Sequence, residues 1–156
     1  MKNIISKAKN DLKLEKIPIK VDHIIINPDN RVFVVLADEN DRKVGIELNV
    51  FEASMLSFVQ DGFHENSHIN TIHQLFIKSL NFINTKIEEI DIESKNGDII
   101  YCSLKLIDSK NNRAYTISSI ADALILNRIA KCPLYCIEET WEKMDIMDDW
   151  DYEDFI

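Results

Sequence analysis

The pattern of apolar and polar positions predicts where strands and helices lie along the chain. Two stretches rich in Val and Ile, residues 20–26 and 31–37, flank an Asn-Pro-Asp-Asn turn and predict a β-hairpin. A third strand is predicted at 43–49. Residues 1–16 are predicted to form a short amphipathic helix, which Pro18 ends because proline cannot continue a helix.

Apolar residues that recur with helical spacing predict three main helices, at about residues 50–59, 71–82 and 120–130. The residue types that cap helix N-termini precede each of them. The predicted caps are Asn49 for the first helix, Asn70 or Thr71 for the second, and Ser118 or Ser119 for the third. The positions predicted to face the core are Phe51, Met55, Leu56 and Val59 in the first helix and Ile72, Leu75, Phe76, Ser79, Leu80 and Ile83 in the second.

The second half of the chain adds further strands. Residues 86–93 and 98–107 surround an Asn-Gly dipeptide, which is a strong hairpin signal. Strands at 113–117 and 134–137 and a last helical turn at 138–144 follow. Because strands come in groups with helices between them, the pattern predicts an α+β domain with a mostly antiparallel or mixed sheet of about seven strands. Strands and helices do not alternate regularly, which argues against a doubly wound nucleotide fold, and the three glycines of the chain form no glycine-rich phosphate loop.

Length and composition fit one globular domain. The 156 residues are 46% hydrophobic, which is enough for one sizeable core and too much for a disordered chain. We expect a basic N-terminal segment at 1–18, the domain at 19–144 and an acidic tail at 145–156. No apolar run is long enough for a membrane span or resembles a secretory signal, so we expect a cytoplasmic protein without a membrane partner.

The net charge of −9 first argues against a nucleic-acid partner, because phosphate-binding domains are usually basic. The charge is unevenly distributed, however. Residues 1–20 carry six Lys against two acidic residues, a local charge of +4, whereas residues 145–156 carry six acidic residues and no Lys or Arg. Nucleic acid therefore stays a possible partner. We expect the tail to be solvated, with the alternative that it contacts its own groove or a protein partner through its aromatic residues Trp150, Tyr152 and Phe155.

Two sets of residues are weak metal-site candidates. Cys132 and Cys136 lie four positions apart, but three cysteines at irregular spacing are better explained as small buried apolar residues. His64 and His68 lie in a polar stretch that also holds Asp61 and Glu65, which is either a metal cluster or an exposed loop.

Three acid–base groups fall in the first turns of the three predicted helices: Glu52, His73 and Asp122. If these helix ends share one edge of the sheet, the three groups could serve general acid–base or metal-assisted hydrolysis. The structural alternative is that each carboxylate complements a helix N-terminus and that the histidine is partly buried with one nitrogen satisfied.

Several motifs together resemble one family. They are Phe51-Glu52-Ala53, Thr71-Ile72-His73-Gln74-Leu75, Ala121-Asp122-Ala123-Leu124, and Lys131-Cys132-Pro133-Leu134-Tyr135 followed by Glu138-Glu139. In their order and spacing, over about residues 19–144, they resemble the bacterial bifunctional nuclease (DNase/RNase) family. The resemblance implies an α+β domain that forms a wedge-shaped homodimer and hydrolyses DNA or RNA phosphodiester bonds in a groove. It also implies Glu52, His73 and Asp122 as catalytic residues, with a divalent metal ion as a possible cofactor of unknown identity.

The departures from the family pattern affect its charged positions. Uncharged residues replace them at Ile69, Gln74, Ile117 and Ser119. Losing these charges would remove much of a phosphate- or metal-binding site. The alternative function is therefore a non-catalytic dimeric module that keeps the fold and binds a protein or a small ligand.

Overall fold

The computed structural model describes residues 15–62, 71–96 and 99–144, with the backbone alone for residues 94–96. The predicted helix at 1–16 and the acidic tail lie almost wholly outside these residues. The elements in chain order are β1 (Lys16–Ile26), β2 (Val32–Asp38), β3 (Lys43–Leu48), α1 (Val50–Gln60), α2 (Ile72–Phe82), β4 (Thr85–Asn96), β5 (Ile99–Asp108), β6 (Arg113–Ser119), α3 (Ile120–Ala130), β7 (Leu134–Ile137) and α4 (Glu138–Glu142).

The strands form one seven-stranded sheet in the order β3-β2-β1-β7-β4-β5-β6. Neighbouring strands are antiparallel except for β4 and β7, which are parallel. The sheet is therefore mixed, and the predicted α+β class is confirmed. None of the helices in the described part of the chain is long and apolar enough to cross a membrane.

Strand β1 joins the two halves of the sheet. Its first residues, from Lys16 to Pro18, pair with β7, and its remainder from Ile19 onward pairs with β2. The sequence predicts a helix that reaches residue 16 and is ended by Pro18. Lys16 and Pro18 instead lie in strand β1, so the prediction is wrong at these two residues. Pro18 lies opposite Tyr135 near the start of the strand, a position where proline is tolerated in a sheet.

Helix α3 is the centre of the helical layer. It packs against α1, α2 and the strands β4, β5 and β6. Its middle is fully buried at Ala123 and Leu124. Alternate residues of the sheet, such as Val34, Ile90 and Leu104, belong to the same core cluster. The helical layer thus positions the N-terminus of α3 beside the edge strand β6.

Five predicted core positions are wrong, because their side chains are exposed: Phe51 (85% exposed), Ile72 (72%), Leu75, Ser79 and Ile83. The side of α1 that faces the core contains Leu56, and the side of α2 that faces the core contains Leu80. At 3.6 residues per turn, Phe51 lies about 140° around the helix from Leu56. Apolar residues at both helix starts therefore face away from the core.

The ionic cluster, defined as Lys16, Glu89, Asp91 and Lys105, connects β1, β4 and β5. Asp91 lies between Ile90 and Ile92, whose side chains are in the core, so it points to the opposite face of the sheet. Its Oδ2 atom lies 2.9 Å from the Nζ atoms of both lysines, and Glu89 also contacts both. Asp91 is only 1% exposed, so this carboxylate is buried and paired.

Candidate functional site

His73 is held in the first turn of α2 by a capping box. Thr71 Oγ1 accepts a hydrogen bond from the Gln74 backbone N–H at 3.3 Å, and Gln74 Oε1 accepts one from the Thr71 N–H at 2.7 Å. Of the two predicted caps, Thr71 is the residue used. Gln74 is buried and serves this cap, which gives a structural role to a position where the family has a charge.

Asp122 is held in the first turn of α3 by Ser119. The Ser119 hydroxyl accepts a hydrogen bond from the Asp122 backbone N–H at 3.2 Å and donates one to Asp122 Oδ2 at 3.0 Å. One side chain therefore both caps the helix and orients the carboxylate. Of the two predicted caps, Ser119 is the residue used, so it has a structural role at a position where the resemblance implies a lost charge.

The packing of α2 on α3 brings His73 and Asp122 together. His73 Nε2 lies 2.8 Å from Asp122 Oδ1, although the two residues are 49 positions apart in the chain. Because an ionised carboxylate only accepts hydrogen bonds, Nε2 carries the proton. Asp122 is 58% exposed, whereas His73 is 12% exposed and its Nδ1 has no hydrogen-bond partner among the described residues.

A cavity of about 410 Å³ surrounds this pair, and we call it the His73 cavity. Its polar lining residues are His73, Thr116, Ser118, Ser119 and Asp122. Its apolar lining residues are Ile72, Phe76, Leu104, Ile117 and Leu126. No Lys or Arg lines it among the residues that the structure describes. The arrangement can move a proton at Asp122, but it offers no described cation to a phosphate.

The structure places Glu52 elsewhere, in the capping box of α1. Asn49 Oδ1 accepts from the Glu52 N–H, and Glu52 Oε2 accepts from the Asn49 N–H, both at 2.9 Å. The predicted cap Asn49 is confirmed. Glu52 does not line the His73 cavity, so the structure brings together two of the three predicted site residues.

Two further positions, Ile117 and Ile69, have an uncharged residue where the family resemblance implies a charge. Ile117 lies in β6, lines the His73 cavity and is exposed. Ile69 lies outside the described residues. The exposed apolar side chain at 117 leaves the rim of the cavity without the charge that the family has there.

The structure tests only one of the two metal-site candidates, the pair Cys132 and Cys136. Within the described ranges, no group of three or more His, Cys, Asp or Glu side chains could hold a metal ion. His64, Glu65 and His68 lie outside those ranges. Burial raises the pKa of the Cys102 and Cys136 thiols to about 12, and burial also raises the pKa of Cys132. The cysteines therefore behave as small apolar residues.

A comparison with protein families adds to this geometry. The model of the bifunctional nuclease domain matches residues 34–149, which is most of the chain and includes both residues of the His–Asp pair. The chain belongs to the bifunctional nuclease domain family. No curated protein matches the chain.

Proposed function

We propose that the chain hydrolyses DNA or RNA phosphodiester bonds in the His73 cavity, with Asp122 as its general acid–base group and His73 as the residue that positions Asp122. The observation that carries the proposal is the 2.8 Å contact between His73 Nε2 and Asp122 Oδ1 in a cavity open to solvent. Family membership supports the reaction type. The proposed substrates are DNA and RNA because the resemblance to the bifunctional nuclease family implies both.

Each residue has a distinct part in this proposal. The exposed carboxylate of Asp122 accepts a proton from water as the water oxygen attacks phosphorus, and it returns a proton to the leaving oxygen. His73 and Ser119 each donate a hydrogen bond to Asp122 and fix its orientation. At the cavity, His73 and Asp122 are the described His, Cys, Asp or Glu residues that could ligate a metal ion, which is fewer ligands than a protein-held site usually has.

The test is cleavage of single-stranded RNA and double-stranded DNA, with and without divalent ions, by Asp122→Asn. Asn keeps the shape of the side chain but cannot take up the proton, so we expect kcat to fall about 100-fold with little change in KM. Asp29→Asn is the matched control, because Asp29 is an exposed carboxylate in the turn between β1 and β2. Full activity of Asp122→Asn would remove the carboxylate from the mechanism.

One observation favours a second candidate, a non-catalytic binding module. Half of the lining residues of the His73 cavity are apolar, and none is cationic among those described. Such a lining suits an uncharged ligand better than a phosphodiester. A parent protein that cleaves no nucleic acid under any metal condition, and whose nucleic-acid binding is absent even at low salt, would establish this candidate over the nuclease.

We also propose that the protein is a homodimer, as the family resemblance implies. Apolar side chains are exposed on α2 and on the edge strand β6, and β6 has no strand beyond it in the described sheet. Exposed apolar groups of this kind usually mark an interface. Sedimentation should give twice the 18.1 kDa of one chain. Tyr115→Glu on β6 should shift the protein to monomer, whereas Lys110→Glu should not.

A further inference from the structure

A second cavity, of about 380 Å³, opens where β1 leaves β7 to pair with β2. We call it the Arg128 cavity. The sheet parts here because β1 pairs with β7 only as far as Pro18. The lining residues are Pro18, Ile19, Lys20, Val21, Gln60, Asn127, Arg128, Cys132, Pro133, Leu134 and Tyr135. None of them lines the His73 cavity.

The charge of this lining is entirely positive. Lys20 and Arg128 line the cavity, and its lining includes no Asp or Glu. Arg128 Nη2 donates a hydrogen bond to the Gln60 backbone oxygen at 3.2 Å, and a guanidinium has five N–H donors, so most of them have no acceptor among the described residues. Lys20 has no ion pair with a described residue. In a chain of net charge −9, a described lining with two cations and no carboxylate favours an anionic ligand.

The uncharged lining residues define the rest of the ligand. The Oε1 atom of Gln60 is buried and has no hydrogen-bond partner among the described residues. The terminal amide turns easily about its last torsion, which would bring this oxygen to a ligand N–H. Tyr135, Pro133 and Leu134 provide an aromatic ring and apolar surface. A ligand that matches the cavity thus combines an anionic group, a planar apolar body and an N–H donor.

We propose that the Arg128 cavity binds a nucleoside monophosphate, whose phosphate contacts Arg128 and Lys20 and whose base packs near Tyr135 with an N–H to Gln60. The cavity volume lies within the range of about 300–1,000 Å³ that is usual for small-molecule sites. This site does not depend on the proposed nuclease reaction. Asp122 and Arg128 lie six positions apart on α3, which is about 9 Å along the helix axis.

The experiment is a titration of the full chain with AMP, followed by the amide chemical shifts of residues that line each cavity. We expect saturable shifts at Gln60 and Arg128, with adenosine and inorganic phosphate each binding at least about tenfold more weakly, since each lacks one set of contacts. Arg128→Gln and the exposed Lys20→Gln should each weaken AMP binding by about tenfold. Lys110→Gln, a change of the same kind far from the cavity, should have no effect.

Three results would overturn the proposal. They are phosphate binding as tight as AMP binding, unchanged affinity in both Arg128→Gln and Lys20→Gln, and AMP-induced shifts confined to residues of the His73 cavity. Asp122→Asn separates this proposal from the nuclease proposal. The variant should bind AMP as the parent does, whether or not the parent cleaves nucleic acid.

Discussion

Two aspartates in this fold are held in opposite ways. Asp91 of the ionic cluster is buried and lies 2.9 Å from two ammonium groups. Asp122 is mostly exposed and accepts hydrogen bonds from His73 and Ser119, neither of which is a permanent cation. The buried carboxylate already has its charge balanced by its neighbours. The exposed carboxylate keeps lone pairs for water or a ligand.

The difference in burial and pairing indicates that Asp91 stabilises the fold, whereas Asp122 is available for function. Burial alone would raise the pKa of Asp91, but Lys105 and Lys16 outweigh burial and hold that pKa below its usual value. Burial would likewise lower the pKa of Lys105, yet Asp91 and Glu89 raise it. The carboxylates and ammonium groups of the ionic cluster therefore stabilise one another's charged forms, and they are already occupied by these contacts.

The strongest test of this comparison is Asp91→Asn. Removing one charge from a buried, paired cluster leaves its cationic partners less compensated, so we expect the free energy of unfolding to fall by about 3 kcal/mol. Cleavage per folded molecule should not change. Urea denaturation measures the loss. Glu88→Gln is the control, because it removes an ion pair with Arg113 at the surface and should lower the free energy of unfolding far less than Asp91→Asn does.

The pH dependence of stability sharpens the same comparison. A carboxyl whose folded pKa is lowered stabilises the fold above its unfolded pKa of about 3.9, and this contribution is lost as the pH falls through the folded value. The stability gap between the parent and Asp91→Asn should therefore be full near neutral pH and shrink below about pH 4. Urea midpoints across this range measure it. A gap that is constant with pH would show that the charge of Asp91 is not what stabilises the fold.

The smallest expected effect is that of Glu52→Gln, which asks whether a third carboxylate belongs with Asp122. Gln also serves as the third residue of a capping box, so the free energy of unfolding should change by about 0.5 kcal/mol or less. Because Glu52 lies outside the His73 cavity, cleavage should be retained. A loss of cleavage as large as that of Asp122→Asn would instead restore Glu52 as a catalytic residue.

Local features of this fold follow from the sequence because they depend on short-range chemistry. Residue type predicts Asn49 as a cap and gives Thr71 and Ser119 each as one of two candidate caps, and the run of apolar residues after Pro133 predicts strand β7. Each feature needs only hydrogen bonds or spacing within a few residues.

The remaining features depend on partners that are distant in the chain. Strand β1 extends back to Lys16 because β7 supplies its pairing partner, Ile137, near the far end of the described chain. Phe51 is exposed because the packing of α1 on α3 decides which side of the helix is covered. The sequence predicts acid–base residues at three helix starts, but only tertiary packing decides that His73 meets Asp122 while Glu52 closes its own helix cap.

The division of β1 between two partners has a consequence for how the chain folds. The β2–β3 and β4–β5 hairpins join neighbouring segments, so both can form as soon as their own residues have been synthesised. The three residue pairs between β1 and β7 close a loop of more than one hundred residues, and β7 is the last strand among the residues that the structure describes. Strand β1 must therefore keep one edge open until β7 has been synthesised. The pairing of Lys16, Ile17 and Pro18 should thus be the last step of sheet assembly and the one most exposed to wrong partners.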